Sequence, residues 1–149
     1  EAVVRDMLKK PEQPLTKVDL ERLEVLNAGD REIEDLTELE QCVNLTRLDL
    51  RDNEIIDATP LASLTKLKVL LLKANQVSNV SPLAPLTKLK MLDLFGNQVK
   101  DISPLASLTN LTWLCLSGNV VGDISPLASL TSLTELWLGH NIRTVMCRR

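Results

Sequence analysis

Residues 111–132 read LTWLCLSGNVVGDISPLASLTS, and the apolar pattern changes character halfway along. In the first half Leu111, Leu114 and Leu116 fall on one side, while Trp113, Cys115 and Ser117 fall on the other. Successive side chains on opposite faces are the mark of a strand. In the second half, SPLASLT places Leu127 and Leu130 three residues apart. That spacing suits a 3₁₀ or short helical turn, and Pro126 fits its first position, where a missing N–H costs nothing.

The same unit recurs. Leu45, Leu67, Leu89, Leu111 and Leu133 are each 22 residues apart, as are Asn53, Asn75, Asn97, Asn119 and Asn141. Pro60, Pro82, Pro104 and Pro126 keep the same step. A weaker copy begins at Leu23, with Arg31, Glu38 and Cys42 where the others carry asparagine, proline and leucine. The chain therefore reads as six copies over residues 23–141, the first degenerate and the last cut short after Asn141. A single copy cannot bury its own leucines. Copies stacked in register close a continuous core and align their strands in one parallel sheet.

Each recurrent asparagine follows a strand, where the chain turns inward and leaves backbone groups in need of partners. An amide both donates and accepts, so a buried column of asparagines can satisfy those groups. None of these five opens an Asn-x-Ser/Thr glycosylation sequon, and the structural role is the expected one.

A stack exposes leucines at both ends and needs caps. Residues 1–22 read as a helical cap. Ala2, Val3, Met7 and Leu8 sit near helical spacing up to Pro11, and Thr16 with Asp19 makes a capping-box start for a second short helix. Residues 142–149, IRTVMCRR, form a tail without the second half of a repeat. The leucines of the last coil are expected to be partly bare, as in a fragment of a longer protein.

Composition narrows the function. The 149 residues carry a net charge of −3, with no run of lysine or arginine, so the basic stripe of a nucleic-acid binder is not expected. No apolar stretch approaches the ~20 residues of a membrane span. Cys42, Cys115 and Cys147 are widely spaced and His140 is the only histidine, too few soft ligands for a structural zinc site. Reduced thiols, no metal and no cofactor are expected.

The unit LxxLxLxxNxVxDISPLASLT, and the stretch KPEQPLTKVDLERLEVLNA before it, resemble the bacterial internalin-like leucine-rich-repeat proteins and their helical N-terminal cap. The resemblance implies an α/β solenoid, a horseshoe or right-handed superhelix. Its parallel sheet lines the concave side, with 3₁₀ or short helical turns on the convex side. It also implies a secreted or surface protein whose curved sheet grips a protein partner. Similar repeats serve cytoplasmic regulatory arms of larger signalling proteins. A constant scaffold with varied outward residues is also how engineered binders are made. A signal peptide and cell-wall anchor in the full-length gene would favour the first reading over the second.

On such a sheet the outward positions face the concave side. The third position of the copies holds Val25, Arg47, Val69, Met91, Trp113 and Glu135; the fifth holds Asn27, Asp49, Leu71, Asp93, Cys115 and Trp137. The seventh holds Gly29, Arg51, Lys73, Phe95, Ser117 and Gly139. The scaffold barely changes between copies, whereas these positions change each time. All three aromatic residues, Phe95, Trp113 and Trp137, fall within this set. Strands ~4.8 Å apart make Met91, Phe95, Trp113, Cys115 and Trp137 one expected apolar patch, extended by Val69 and Leu71. Arg47, Asp49, Arg51 and Asp52 rim it on one side, Glu135 and His140 on the other. The expected site therefore comprises Arg47, Asp49, Val69, Leu71, Met91, Asp93, Phe95, Trp113, Cys115, Glu135 and Trp137, facing a protein partner from a monomeric chain.

Catalysis is not expected. Cys115 and His140 are offset by about three residues on neighbouring strands, ~10 Å, beyond the reach of a nucleophile and its base. Asp49 and Asp93 lie two strands apart, ~9.6 Å, and no glycine-rich phosphate loop follows any strand.

Overall fold

The structure is a computed structural model, and residues 16–141 are described. The first helix expected of the N-terminal cap and the tail at 142–149 lie outside that range.

The described residues open on α1 (Lys17–Glu21), capped as its sequence requires. The Asp19 amide donates to Thr16 Oγ1 at 3.3 Å and the Thr16 amide donates to Asp19 Oδ2 at 3.0 Å. Leu20 and Leu23 then bury against the first coil.

Six strands follow, β1 (Val25–Asn27), β2 (Arg47–Asp49), β3 (Val69–Leu71), β4 (Met91–Asp93), β5 (Trp113–Cys115) and β6 (Glu135–Trp137). They form one sheet in sequence order, all parallel, each residue paired with the one 22 positions on. Between strands the chain crosses the convex side in 3₁₀ turns at Thr37–Gln41, Thr59–Ser63, Ser81–Leu83, Ser103–Ser107 and Ser125–Ser129. Proline stands at the start of the last four, as its spacing predicts. Ser63, Ser107 and Ser129 each donate to a carbonyl of the preceding coil. Where Pro85 takes that serine's place, the turn is cut to three residues.

Each turn also begins on an acceptor two residues ahead. Asp35, Asp57, Asp101 and Asp123 accept from the amides of Thr37, Thr59, Ser103 and Ser125, and Asn79 does the same for Ser81. The hydrogen bonds from Thr59 hold the Asp57 carboxyl below its ordinary value, and those from Ser103 do the same for Asp101.

The core is the expected leucine column. Leu48, Leu70, Leu92 and Leu114 are fully buried, as are Leu50, Leu72, Leu94 and Leu116. In the last coil Leu136 is 40% exposed, since no further coil stacks on it among the described residues. Cys42 occupies a leucine site in the first coil and is wholly buried; burial, with Glu38 nearby, pushes its thiol up to about 11. Both Cys42 and Cys115 are free thiols.

The asparagines do what their chemistry allows. Asn97 Nδ2 donates to the carbonyls of Leu72 (2.9 Å) and Leu94 (3.1 Å), while Oδ1 accepts from the Val77 amide (3.0 Å). Asn75 and Asn119 repeat this one coil away on either side. Each side chain thus ties its own turn to the coil before it. In the first coil Arg31 stands in the asparagine's place, and its backbone N–H donates to Asn53 Oδ1 at 3.1 Å.

A second column was not read from the sequence. Asp30, Asp52, Ala74, Gly96, Gly118 and His140 share one position of the repeat, and all have φ between 53° and 69°. This left-handed backbone suits glycine and strains a residue with a Cβ. Ala74→Gly is therefore expected to raise stability by about 0.5–1 kcal/mol, read as a higher urea midpoint at unchanged slope. A lower midpoint would show that the turn is not strained.

Candidate partner-binding site

The parallel register places the outward residues in straight rows. Arg47, Val69, Met91, Trp113 and Glu135 pair in one row across the sheet; Asp49, Leu71, Asp93, Cys115 and Trp137 pair in the next. Because every step is 22 residues, the repeat itself does this positioning, and each side chain is free to vary without disturbing the leucines behind it.

The rows differ in depth. Asp49, Leu71 and Cys115 are only 6%, 7% and 7% exposed, so the fifth position is the floor of the face along most of its length. Leu71 and Cys115 offer little surface of their own and support their neighbours from below. Met91 and Trp113 are half-buried and adjacent, whereas Phe95 (40%) and Trp137 (56%) stand out into solvent. Val69 and Asp93 are half-buried, and Glu135 is exposed at the far edge.

Charge is organised locally. Arg51 grips Asp49 with two nitrogens, Nε to Oδ1 at 2.9 Å and Nη2 to Oδ2 at 2.7 Å. Burial acts to raise the Asp49 carboxyl, but the hydrogen bonds and charge of Arg51 outweigh it and hold the group below its ordinary value. A floor carboxylate thus fixes a guanidinium on the surface in a fork geometry that a lysine could not copy. Next to it Lys73 Nζ lies 5.6 Å from the centroid of the Phe95 ring, a cation–π contact. That contact was legible in outline: Lys73 and Phe95 hold the same position in adjacent repeats. The depth of the floor and the Asp49–Arg51 clamp were not, because both depend on how close neighbouring strands bring their side chains.

Burial is the first cause of a raised thiol at Cys115, with Asp93 adding to it, so the group stays protonated at neutral pH. Among the described residues no helix is long and apolar enough to cross a membrane.

A family model for leucine-rich repeats (two copies) matches residues 43–85, 65–107 and 109–145. Among curated proteins, none matches. An internalin (InlF) of Listeria monocytogenes aligns at 29% identity and a TM-score of 0.74, covering 93% of this chain and 48% of its own. Internalin C2 of the same organism aligns at 34% identity and a TM-score of 0.67, covering 93% and 72%. The ectodomain of the Arabidopsis thaliana receptor kinase GASSHO1/SCHENGEN3, solved in complex with CASPARIAN STRIP INTEGRITY FACTOR 2, aligns at 25% identity and 0.74, covering 87% and 17%. The chain thus spans about half the length of the first of these and a smaller part of the third. With the repeat, the sheet and these matches in agreement, the chain belongs to the leucine-rich-repeat proteins and is internalin-like within them.

Proposed function

We propose that this chain is a protein-binding module rather than an enzyme, and that it holds its partner on the concave face through Met91, Phe95, Trp113 and Trp137. The observation that carries this is the placement of all three aromatic residues on a surface the scaffold leaves free to vary, two of them well exposed. Tryptophan is enriched among the residues that dominate interface energies, and an exposed apolar cluster with a polar rim marks a contact surface. Arg47, Arg51 (held by the floor carboxylate of Asp49) and Glu135 supply the rim, Asp93 a charge within the floor row, and Val69, Leu71 and Cys115 the apolar bed. A plant leucine-rich-repeat ectodomain similar in fold was solved in complex with another factor, which supports a protein-binding reading. The Cys115 thiol on this face is buried and kept protonated, which suits packing rather than nucleophilic attack.

The test is affinity capture with the intact chain beside Trp113→Ala/Trp137→Ala. The double variant is expected to keep its fold, with stability changed by about 1 kcal/mol or less, and to lose the captured protein. Equal capture by both chains, or a double variant that no longer folds, would overturn the reading.

A further inference from the structure

Lys66, Lys68, Lys88 and Lys90 are all exposed and lie where β3 and β4 begin. The sequence shows no run of basic residues, yet stacking makes one. The Lys90 amide donates to the Lys68 carbonyl at 2.8 Å, so these two residues are hydrogen-bonded neighbours on adjacent coils; Lys66 and Lys88 hold the equivalent positions of the two coils, two residues earlier. Four ammonium groups therefore occupy a patch two coils wide, each coil ~4.8 Å from the next.

Among the described residues none forms an ion pair with them. Arg51 has Asp49, Lys17 has Glu21 and Lys73 has the Phe95 ring. Among the described residues no carboxylate comes within 4.0 Å of the four lysines; Lys66 Nζ instead donates to the neutral Asn44 Oδ1 at 2.6 Å. In the flanking coils the same two positions hold Asn44 and Thr46 on one side, Asn110 and Thr112 on the other. The fold accepts neutral residues there, so four lysines in adjacent coils are not a requirement of stacking. A cluster of acidic groups brought by a partner would relieve their mutual repulsion.

The location says what brings it. Lys68 immediately precedes Val69, and Lys90 immediately precedes Met91, so the patch is continuous with the concave surface. We infer that the protein held on the concave face carries a cluster of acidic side chains beside its apolar contact, and that this cluster seats over Lys66, Lys68, Lys88 and Lys90. The inference rests on the concave-face reading above and adds the partner's chemistry to it. Lysines on flexible stems read charge density rather than a fixed bidentate geometry, which fits a run of aspartates and glutamates. Complementary charge at a rim acts chiefly on the rate of encounter.

Poly-L-glutamate tests the patch without the partner and without the tryptophans. The intact chain, although its net charge is −3, is expected to bind it at about 0.03 M salt and to release it at about 0.3 M, where screening is short-ranged. The quadruple variant Lys66→Gln/Lys68→Gln/Lys88→Gln/Lys90→Gln is expected to bind at least about tenfold more weakly, whereas Lys→Arg at the same four positions and Lys100→Gln alone retain binding. A thermal melt checks the glutamine variant, and the arginine variant keeps the test open if that one fails to fold. Equal binding by the glutamine variant, or no binding by the intact chain, overturns the inference whatever the tryptophan variant does. Tight binding of heparin with none of polyglutamate also overturns it, in favour of a sulfated polysaccharide.

Discussion

Leu92→Ala is expected to lower the unfolding free energy by about 2–5 kcal/mol, the largest effect of any single substitution considered for this chain. Leu92 is fully buried at the middle of β4, between Leu70 and Leu114 on the adjoining strands. The cavity cannot easily collapse, because backbone hydrogen bonds fix the spacing of the coils on both sides. In a solenoid each coil is stabilised only by its neighbours, so a weak coil in the middle loosens two interfaces at once. Urea unfolding followed by circular dichroism measures the change. The same substitution at Leu136, which is 40% exposed, is expected to cost about 1 kcal/mol or less. Equal losses at the two positions would mean that coil-on-coil burial is not what holds the chain together.

Asn97→Ala is the second. It removes two donors and one acceptor that satisfy the Leu72 and Leu94 carbonyls and the Val77 amide. These groups are shut away from water, and leaving them without partners is expected to cost about 1–3 kcal/mol. The defect lies between coils, so it has a local signature: the Val77 amide should exchange with solvent faster, while amides two coils away keep their protection. The neighbouring Gln98 is exposed, and Gln98→Ala should leave the midpoint nearly unchanged. An Asn97→Ala protein with wild-type melting behaviour would remove the asparagine column from the account of stability.

The two substitutions separate what leucine and asparagine do. The leucines supply most of the driving force through burial, but burial is not directional. The asparagines bond each turn to the coil before it, which favours a stack in one register over coils displaced along each other. A stack held only by leucines could slide; one held by amides as well has a single register.

The aliphatic periodicity was enough to determine the solenoid, the parallel order of its strands and the side of each strand that faces inward. Leu111, Leu114 and Leu116 have no other way to leave water, and identical units must solve the problem identically. The capping box at Thr16 and the proline-led turns were equally legible, because they rest on contacts within a few residues. What only the folded chain decided is lateral: residues 22 apart become neighbours. That is why Asp49, Leu71 and Cys115 sink into a floor, why Arg51 closes on Asp49, and why six residues from Asp30 to His140 share one left-handed turn. It is also why lysines scattered through the sequence gather on one edge. Local spacing chooses the elements, while distances across the stack set depth and charge, and these exist only once the coils are packed.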